Sequence, residues 1–338
     1  MKGAVLLGSP NAKRTLYFKQ AADQLGLPVS LLEWEEWKQN KALKPYQQSI
    51  LKIDPPVWSC CSLNQLKDLS AEYEKDLTAM EGGPWNRFFN HPQDILKLLD
   101  KRGCKKRLKE ANIPVTEMLE GSFQTPEQLL SAMASHQMPQ VFLKPVSGSG
   151  AAGVTAFRIN PRTGKAAAYT CALPTPKGLI NTKKLRAFYG FKEVLPLLEQ
   201  LLCLDCIAER WYPKAVYQGY SYDLRAVFQE GRVDFLLARL SKGPVTNLHL
   251  NNHPLKAEAL NLPRPVLASI FSLCSQAAAC YPRLSSVGID ILLEKGSLTP
   301  RIIELNGQGD LLYEDIYNDN SIYLHQASMM QQWITQTR

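Results

Sequence analysis

Residues 287–307, VGIDILLEKGSLTPRIIELNG, limit the fold more than any other stretch, because they read as two apolar strands about a Gly-Ser turn with an acid set into each. Glu304 and Asn306 stand at i and i+2, so both side chains point to one face, roughly 6.6 Å apart. With the hairpin centred near Ser297, Asp290 falls directly opposite Glu304. Cross-strand neighbours of this kind have Cβ atoms about 4.5–5.5 Å apart, and like charges there destabilise a sheet. Carboxylates among Ile and Leu are also costly when unpaired. A divalent cation would answer both problems. Asp, Glu and Asn offer hard oxygen donors, which favour Mg2+, with Mn2+ as the alternative, over zinc. Two other readings stay open: the acids face solvent on a sheet edge, or an arginine neutralises them.

The rest of the chain surrounds this hairpin with two kinds of sheet. Residues 3–9, 28–34 and 48–56 read as strands and 13–25 as an amphipathic helix, which suggests a small α/β unit with parallel strands. Further on, the pattern predicts helix over 94–110 and 126–136, strand over 139–145, mainly helix over 183–205, and strand over 207–213. YDLRAVFQEGRVDFLLARLS (222–241) alternates and turns at Glu230-Gly231, a hairpin signal, and 266–281 reads as a helix. The fold class is therefore α/β plus α+β: a parallel N-terminal unit, then antiparallel hairpins carrying helices.

FLKPVSGSGAAGV (142–154) ends an apolar strand in Lys144 and continues almost entirely in Gly, Ala and Ser. Gly148, Gly150 and Gly153 free the backbone to approach a ligand, and Ser147 and Ser149 add hydroxyls. The lysine precedes the glycines, so this is no GxxxxGK[ST] loop, and VTAFRI continues as a strand, so it is no GxGxxG helix start. A Gly-rich flap over phosphates fits, as does a plain surface turn.

Composition removes several function classes. Of 338 residues, 45% are apolar and 21% charged, the balance of a folded chain. No apolar run approaches the roughly 18 residues of a membrane span, and the start reads as a buried strand rather than a signal peptide; the expected setting is cytoplasmic, with no membrane partner. A net charge of +8 concentrates locally only in DKRGCKKRLK (100–109), without finger motif or aromatic-interleaved stripe, so an anionic small ligand is expected rather than nucleic acid. The eight cysteines are expected as reduced thiols. Cys203/Cys206 and Cys60/Cys61 read as buried and structural, since a zinc site would need further ligands. No Ser–His–Asp or Cys–His arrangement is visible, and His249 and His253 read as loop histidines.

From about residue 95 to 312 these motifs follow the order found in ATP-grasp enzymes, and the chain resembles that superfamily. DKRGCKKRLKEANIPV (100–115) resembles its entry helix, FLKPVSGSGAAGV its second lysine strand and loop, and IAERWYP (207–213) its hinge. YDLRAVF (222–228) and TNLHL (246–250) resemble segments of ligases that add amino acids to peptide carboxylates. ELNGQGDLL (304–312) and GSPNAKR resemble stand-alone bacterial ATP-grasp proteins of unassigned function. The resemblance implies a pre-ATP-grasp α/β domain (1–92), a small lobe with the Gly-rich loop (93–208) and a large lobe (209–338). It implies ATP on Lys101, Lys144, Ser147, Gly148, Ser149, Glu209, the backbone around Trp211, and Asp223. It further implies Mg2+ on Asp290, Glu304 and Asn306, and Arg225, Arg239 and Asn247 around the transferring phosphate. The function implied is an ATP-dependent carboxylate–amine ligase for a small molecule or peptide, working through an acylphosphate. Alternatives are an ATP-grasp kinase or carboxylate–thiol ligase, and a non-catalytic nucleotide- or partner-binding module; a homodimer is left open. Three positions depart from the family pattern: Ala151 where Gly is usual, Val245 where peptide-extending ligases have a basic residue, and Asn251-Asn252-His253 for Gly-Gly.

Overall fold

The N-terminal layer is a parallel four-stranded sheet whose two central strands are buried along their length. In this computed structural model, which describes residues 3–39, 43–148, 150–250, 252–309 and 319–336, the layer comprises β1 (Ala4–Gly8), α1 (Lys13–Gln24), β2 (Val29–Glu33), α2 (Trp34–Lys38), β3 (Ile50–Ile53), α3 (Leu63–Met80) and β4 (Arg87–Phe88). The order is β2-β1-β3-β4. Every residue of β1 and β3 is buried, as a parallel sheet covered on both faces requires. Ser62 caps α3 by accepting from Gln65 N. Ser149, Asn251 and 310–312 lie outside the described residues.

The helix expected over 94–110 is two: α4 (Pro92–Leu99) and α5 (Lys101–Glu110). Asp100 adopts extended backbone between them and its carboxylate accepts from Arg102 N, so a cap interrupts the pattern and sets Lys101 at the first position of α5. After α6 (Pro126–Ser135) comes a second, antiparallel sheet of β5 (Gln140–Pro145), β6 (Thr155–Ile159), β7 (Ala166–Thr175), β8 (Gly178–Tyr189) and, beyond α7 (Phe191–Leu202), β9 (Cys206–Arg210). Its order is β8-β7-β6-β5-β9. Residues 183–189, read from sequence as helix, thus belong to β8. Of these, Arg186–Tyr189 pair with β7, and α7 starts only after Gly190, whose φ of 73° ends the strand.

The third sheet holds β10 (Val216–Tyr217), β11 (Tyr220–Gln229), β12 (Arg232–Ser241), β13 (His253–Lys256), β14 (Ser286–Leu293) and β15 (Pro300–Asn306), with α8 (Arg264–Ala279) against it. The order is β13-β12-β11-β14-β15, antiparallel throughout, with β10 on β11. Glu230 and Gly231 both have positive φ, the turn that matches strand twist. Finally α9 (Ser321–Gln336) returns to the first layer, burying Tyr323, Ala327, Met329 and Met330 in one cluster with Phe18, Ala21 and Ala22 of α1. All eight cysteines are free thiols. Cys206 is buried as expected, but Cys60 is only half-buried and Cys61 and Cys203 are exposed. The pair 60–61 lies in the irregular segment that leads into α3, and Cys203 in the turn that ends α7. Among the described residues no helix is long and apolar enough to cross a membrane.

Candidate functional site

The acidic hairpin forms with the register read from its sequence: Asp290 of β14 pairs with Glu304 of β15, and the register slips immediately after Asp290. On its other side Asp290 pairs with Arg225 of β11. Arg225 donates from Nε to Asp290 Oδ1 and from Nη2 to Oδ2 at 3.2 Å. Arg239 of β12 adds Nη2 at 3.2 Å from Oδ2. Of the readings left open by sequence, arginine neutralisation therefore holds for Asp290. Burial alone would raise its pKa; the two guanidinium charges and their hydrogen bonds outweigh this and hold it at about 2.

Glu304 is half-buried, and its neighbour Asn306 has Nδ2 buried without a hydrogen-bond partner. Turning that amide would direct Oδ1 there instead. A carboxylate has four lone-pair sites, so Asp290 can hold its arginines and still offer an electron pair. Three oxygen-bearing side chains on two paired strands, one with an orphaned amide, fit a hard divalent cation.

A second cluster joins the other antiparallel sheet. Lys144 of β5 donates to Glu209 Oε2 of β9 at 2.8 Å, and Thr116 Oγ1 donates to the same oxygen at 2.7 Å. Lys105 of α5 places Nζ 3.3 Å from Glu209 Oε1. Burial pushes the Glu209 pKa up, but Lys105 and Lys144 overcome it and the group stays ionised. Lys105 is itself lowered, chiefly by burial, against the raising charge of Glu209. Two lysines thus share one carboxylate.

The third cluster surrounds Asp223, which is buried. Arg239 Nε donates to Oδ1 at 2.7 Å, and Lys214 Nζ and Thr246 Oγ1 both reach Oδ2. Lys214 also donates to Thr246 Oγ1 at 2.7 Å. Burial lowers the pKa of Lys214, and burial's upward push on Asp223 is overturned by Arg239 and Lys214.

These clusters face one cleft of about 380 Å³. Lys101, Lys144, Ser147, Gly148, Glu209, Asp223, Arg225, Arg239, Asn247, Asp290, Glu304 and Asn306 all line it. Lys101 Nζ donates to Gly148 O at 2.6 Å, holding the Gly-rich turn. In that turn Gly148, Gly150 and Gly153 have positive φ, and so does Ala151 at 63°. Trp211 does not join the lining: its ring packs against Phe142 and Tyr169, its backbone N–H donates to Gln140 O, and Tyr212 lines the cleft instead. The N-terminal layer closes one end with Arg14, Trp58, Tyr73 and Glu74.

Lys105, Thr116, Lys214 and Thr246 were not singled out by sequence reasoning. Lys105 had a signal, since it follows Lys101 by one helical turn on the buried face of α5. Thr246 lies in TNLHL, the segment noted for Asn247. Lys214 and Thr116 had none: Thr116 meets Glu209 across a long separation in the chain, and Lys214 meets Asp223 and Thr246 only once β11 and the loop after β12 are folded around it.

No protein-family model matches the chain, and no curated protein matches it. Solved structures do. A D-cycloserine synthetase is 11% identical with a TM-score of 0.62, covering 97% of this chain and 100% of that one. A macrocyclase from Microcystis aeruginosa bound with its precursor peptide is 12% identical with a TM-score of 0.61, covering 97% and 99%. A RiPP-associated ATP-grasp ligase from Chryseobacterium gregarium, in complex with ADP and a leader and core peptide, is 12% identical with a TM-score of 0.61, covering 98% and 97%. At these identities the likeness is one of fold.

Proposed function

From a chain with the ATP-grasp fold, we propose an ATP-dependent ligase that joins a carboxylate to an amine and releases ADP and phosphate. The observation that carries this reading is the convergence, in one cleft, of Lys101, Lys144 and a glycine turn on one wall with Arg225, Arg239, Asp290, Glu304 and Asn306 on the other. A carboxylate attacking a γ-phosphate brings anions together, so the chemistry needs concentrated positive charge and little covalent help from the protein.

In the proposal Lys101, Lys144 and the turn at Ser147–Gly148 bind the polyphosphate, while Glu209 and Asp223 hold the lysines and arginines in place. Lys105 and Lys214 join that set. Asp290, Glu304 and Asn306 would hold Mg2+, or Mn2+, which when bound supplies charge neutralisation at the phosphates. The substrate carboxylate oxygen bonds to the γ-phosphorus as the bond to the β-phosphate oxygen breaks, giving ADP and an acylphosphate. An amine nitrogen then bonds to the acyl carbon, the bond to phosphate breaks, and the departing phosphate can take the amine proton. Arg225, a planar fork already beside Asp290, is suited to the transferring group, with Arg239 and Asn247 beside it. The glycine turn keeps water from the acylphosphate. The divisions 1–92, 93–208 and 209–338 belong to this reading, with α9 packed back onto α1. Several structural neighbours carry precursor peptides, which favours a peptide among the substrates, and eight free thiols go with a cytoplasmic setting.

Calorimetry of ATP binding with and without Mg2+, wild type against Glu304→Ala, tests the site. Mg2+-dependent binding weakened roughly tenfold or more by the substitution is expected. No ATP binding in either protein would leave the binding-module reading. Amine-dependent phosphate release separates the ligase from the kinase.

A further inference from the structure

The β7–β8 hairpin touches all three layers. Its tip meets the N-terminal layer: Asn181 N donates to Cys61 O at 2.6 Å, Ile180 bridges to Ser62, and a Cβ on Gly178 would come within 3.2 Å of Asn64 Nδ2. Its root is paired into the second sheet, Thr170 opposite Arg186. Between the two, the step from Thr170 to Ala172 on β7 faces a step from Asn181 to Arg186 on β8, so Thr182–Leu185 bulge out opposite Cys171 alone. Bulges of this kind re-aim side chains. Here the bulge carries Leu185 to the third sheet's loop, where a Cβ added to Gly243 would meet Leu185 Cδ2 at 2.8 Å, and β8 packs against the short turn at Leu248–Leu250, next to Asn247.

Cys171 sits where this bulge meets the glycine turn. Its Sγ lies 3.3 Å from Ala151 O and 3.1 Å from Asn181 Oδ1, and its own carbonyl accepts from Thr182 Oγ1 at 2.9 Å. A thiol has one proton; with the Asn181 amide turned, Nδ2 donates to the sulfur and the proton serves Ala151. Thr170 Oγ1 donates to Val154 O at 3.0 Å and secures the other end of the turn. Residues of β7 therefore hold the glycine turn from one side while the bulge they support holds the Asn247 loop from the other.

We propose that Cys171 is a positioning residue, through which the β7–β8 hairpin couples the glycine turn at 150–154 to the loop at 243–248, so that the phosphate end and the acceptor end of the cleft are ordered together. The two ends are named from the proposed function; the coupling itself is a property of the packing. Coupling of this kind is reciprocal, so a disturbance at either end must reach the other.

Amide hydrogen exchange of the full chain, without nucleotide, tests it. Cys171→Ala is expected to speed exchange in both 150–154 and 243–248 by about fivefold, the weight of one hydrogen bond, leaving β1 and β3 unchanged. Cys171→Ser, which keeps a donor, should restore wild-type rates. Gly243→Ala, which pushes on Leu185 from the far end, should speed exchange in 150–154. A Cys171→Ala effect confined to 150–154, or wild-type rates there in Gly243→Ala, overturns the coupling; if Cys171→Ala does not fold, Gly243→Ala decides alone. ATP binding by the same variants is read separately. Reciprocal exchange without ATP binding keeps the coupling and removes the ligase, whereas ATP binding without reciprocity does the reverse.

Discussion

Asp290 shows how much one residue's ionisation matters here. Its pKa of about 2 lies below the ~3.9 of an unfolded aspartate. A depressed carboxyl contributes stability that is fully present above the unfolded value and is lost as pH falls through the folded one. Thermal unfolding of wild type and Asp290→Asn should therefore differ most above about pH 4 and converge near pH 2. A gap that persisted unchanged to pH 2 would mean that the Arg225 and Arg239 pairs do not report the ionised group. Glu209 belongs to the same class, held ionised by Lys105 and Lys144 against its burial.

Among the elements, the glycine turn rests on Gly153, which has φ of 72° and would place a Cβ 2.8 Å from Pro145 Cγ. Gly153→Ala meets both the left-handed cost and a ring that cannot move away, so a loss of about 1–2 kcal/mol is expected from the backbone alone. A urea midpoint unchanged from wild type would contradict it. Ala151, by contrast, already tolerates a positive φ without glycine's freedom. The hairpins of β11–β12 and β14–β15 were legible in the sequence because alternation and turn chemistry are local. From the second, the facing of Asp290 and Glu304 follows directly. β8 was not legible: its pairing with β7 and its bulge depend on a partner strand, and LRAFY satisfies a helix pattern equally well. The clusters divide the same way. Lys144 and Glu304 announce themselves beside glycines and among isoleucines, whereas Lys214 acquires meaning only when Asp223 and Thr246 are folded around it. Asp100, which breaks one apparent helix into two, acts through a cap that periodicity cannot register.

At the scale of the whole molecule, α9 ties the first layer to the third sheet. His325 on α9 contacts Asp234 through Nδ1 and Glu230 through Nε2 at 2.8 Å, with Arg232 also on Asp234. Burial lowers the imidazole pKa, but the hydrogen bonds the ring donates to Asp234 and Glu230 raise it above its usual value. A raised histidine contributes stability that is complete below the unfolded pKa of about 6.5 and disappears as pH rises through the folded value. Wild type should lose melting temperature across that window, and His325→Gln should not. A parallel decline in both proteins would assign the slope to other groups. The same helix covers the apolar face of α1, which precedes it by some 300 residues of chain. At about 5–20 residues per second, a ribosome needs roughly 15 to 60 seconds to cover that interval. Phe18, Ala21 and Ala22 wait that long during synthesis for the share of their cover that α9 supplies, so this layer is completed only after the two sheets that follow it in the chain.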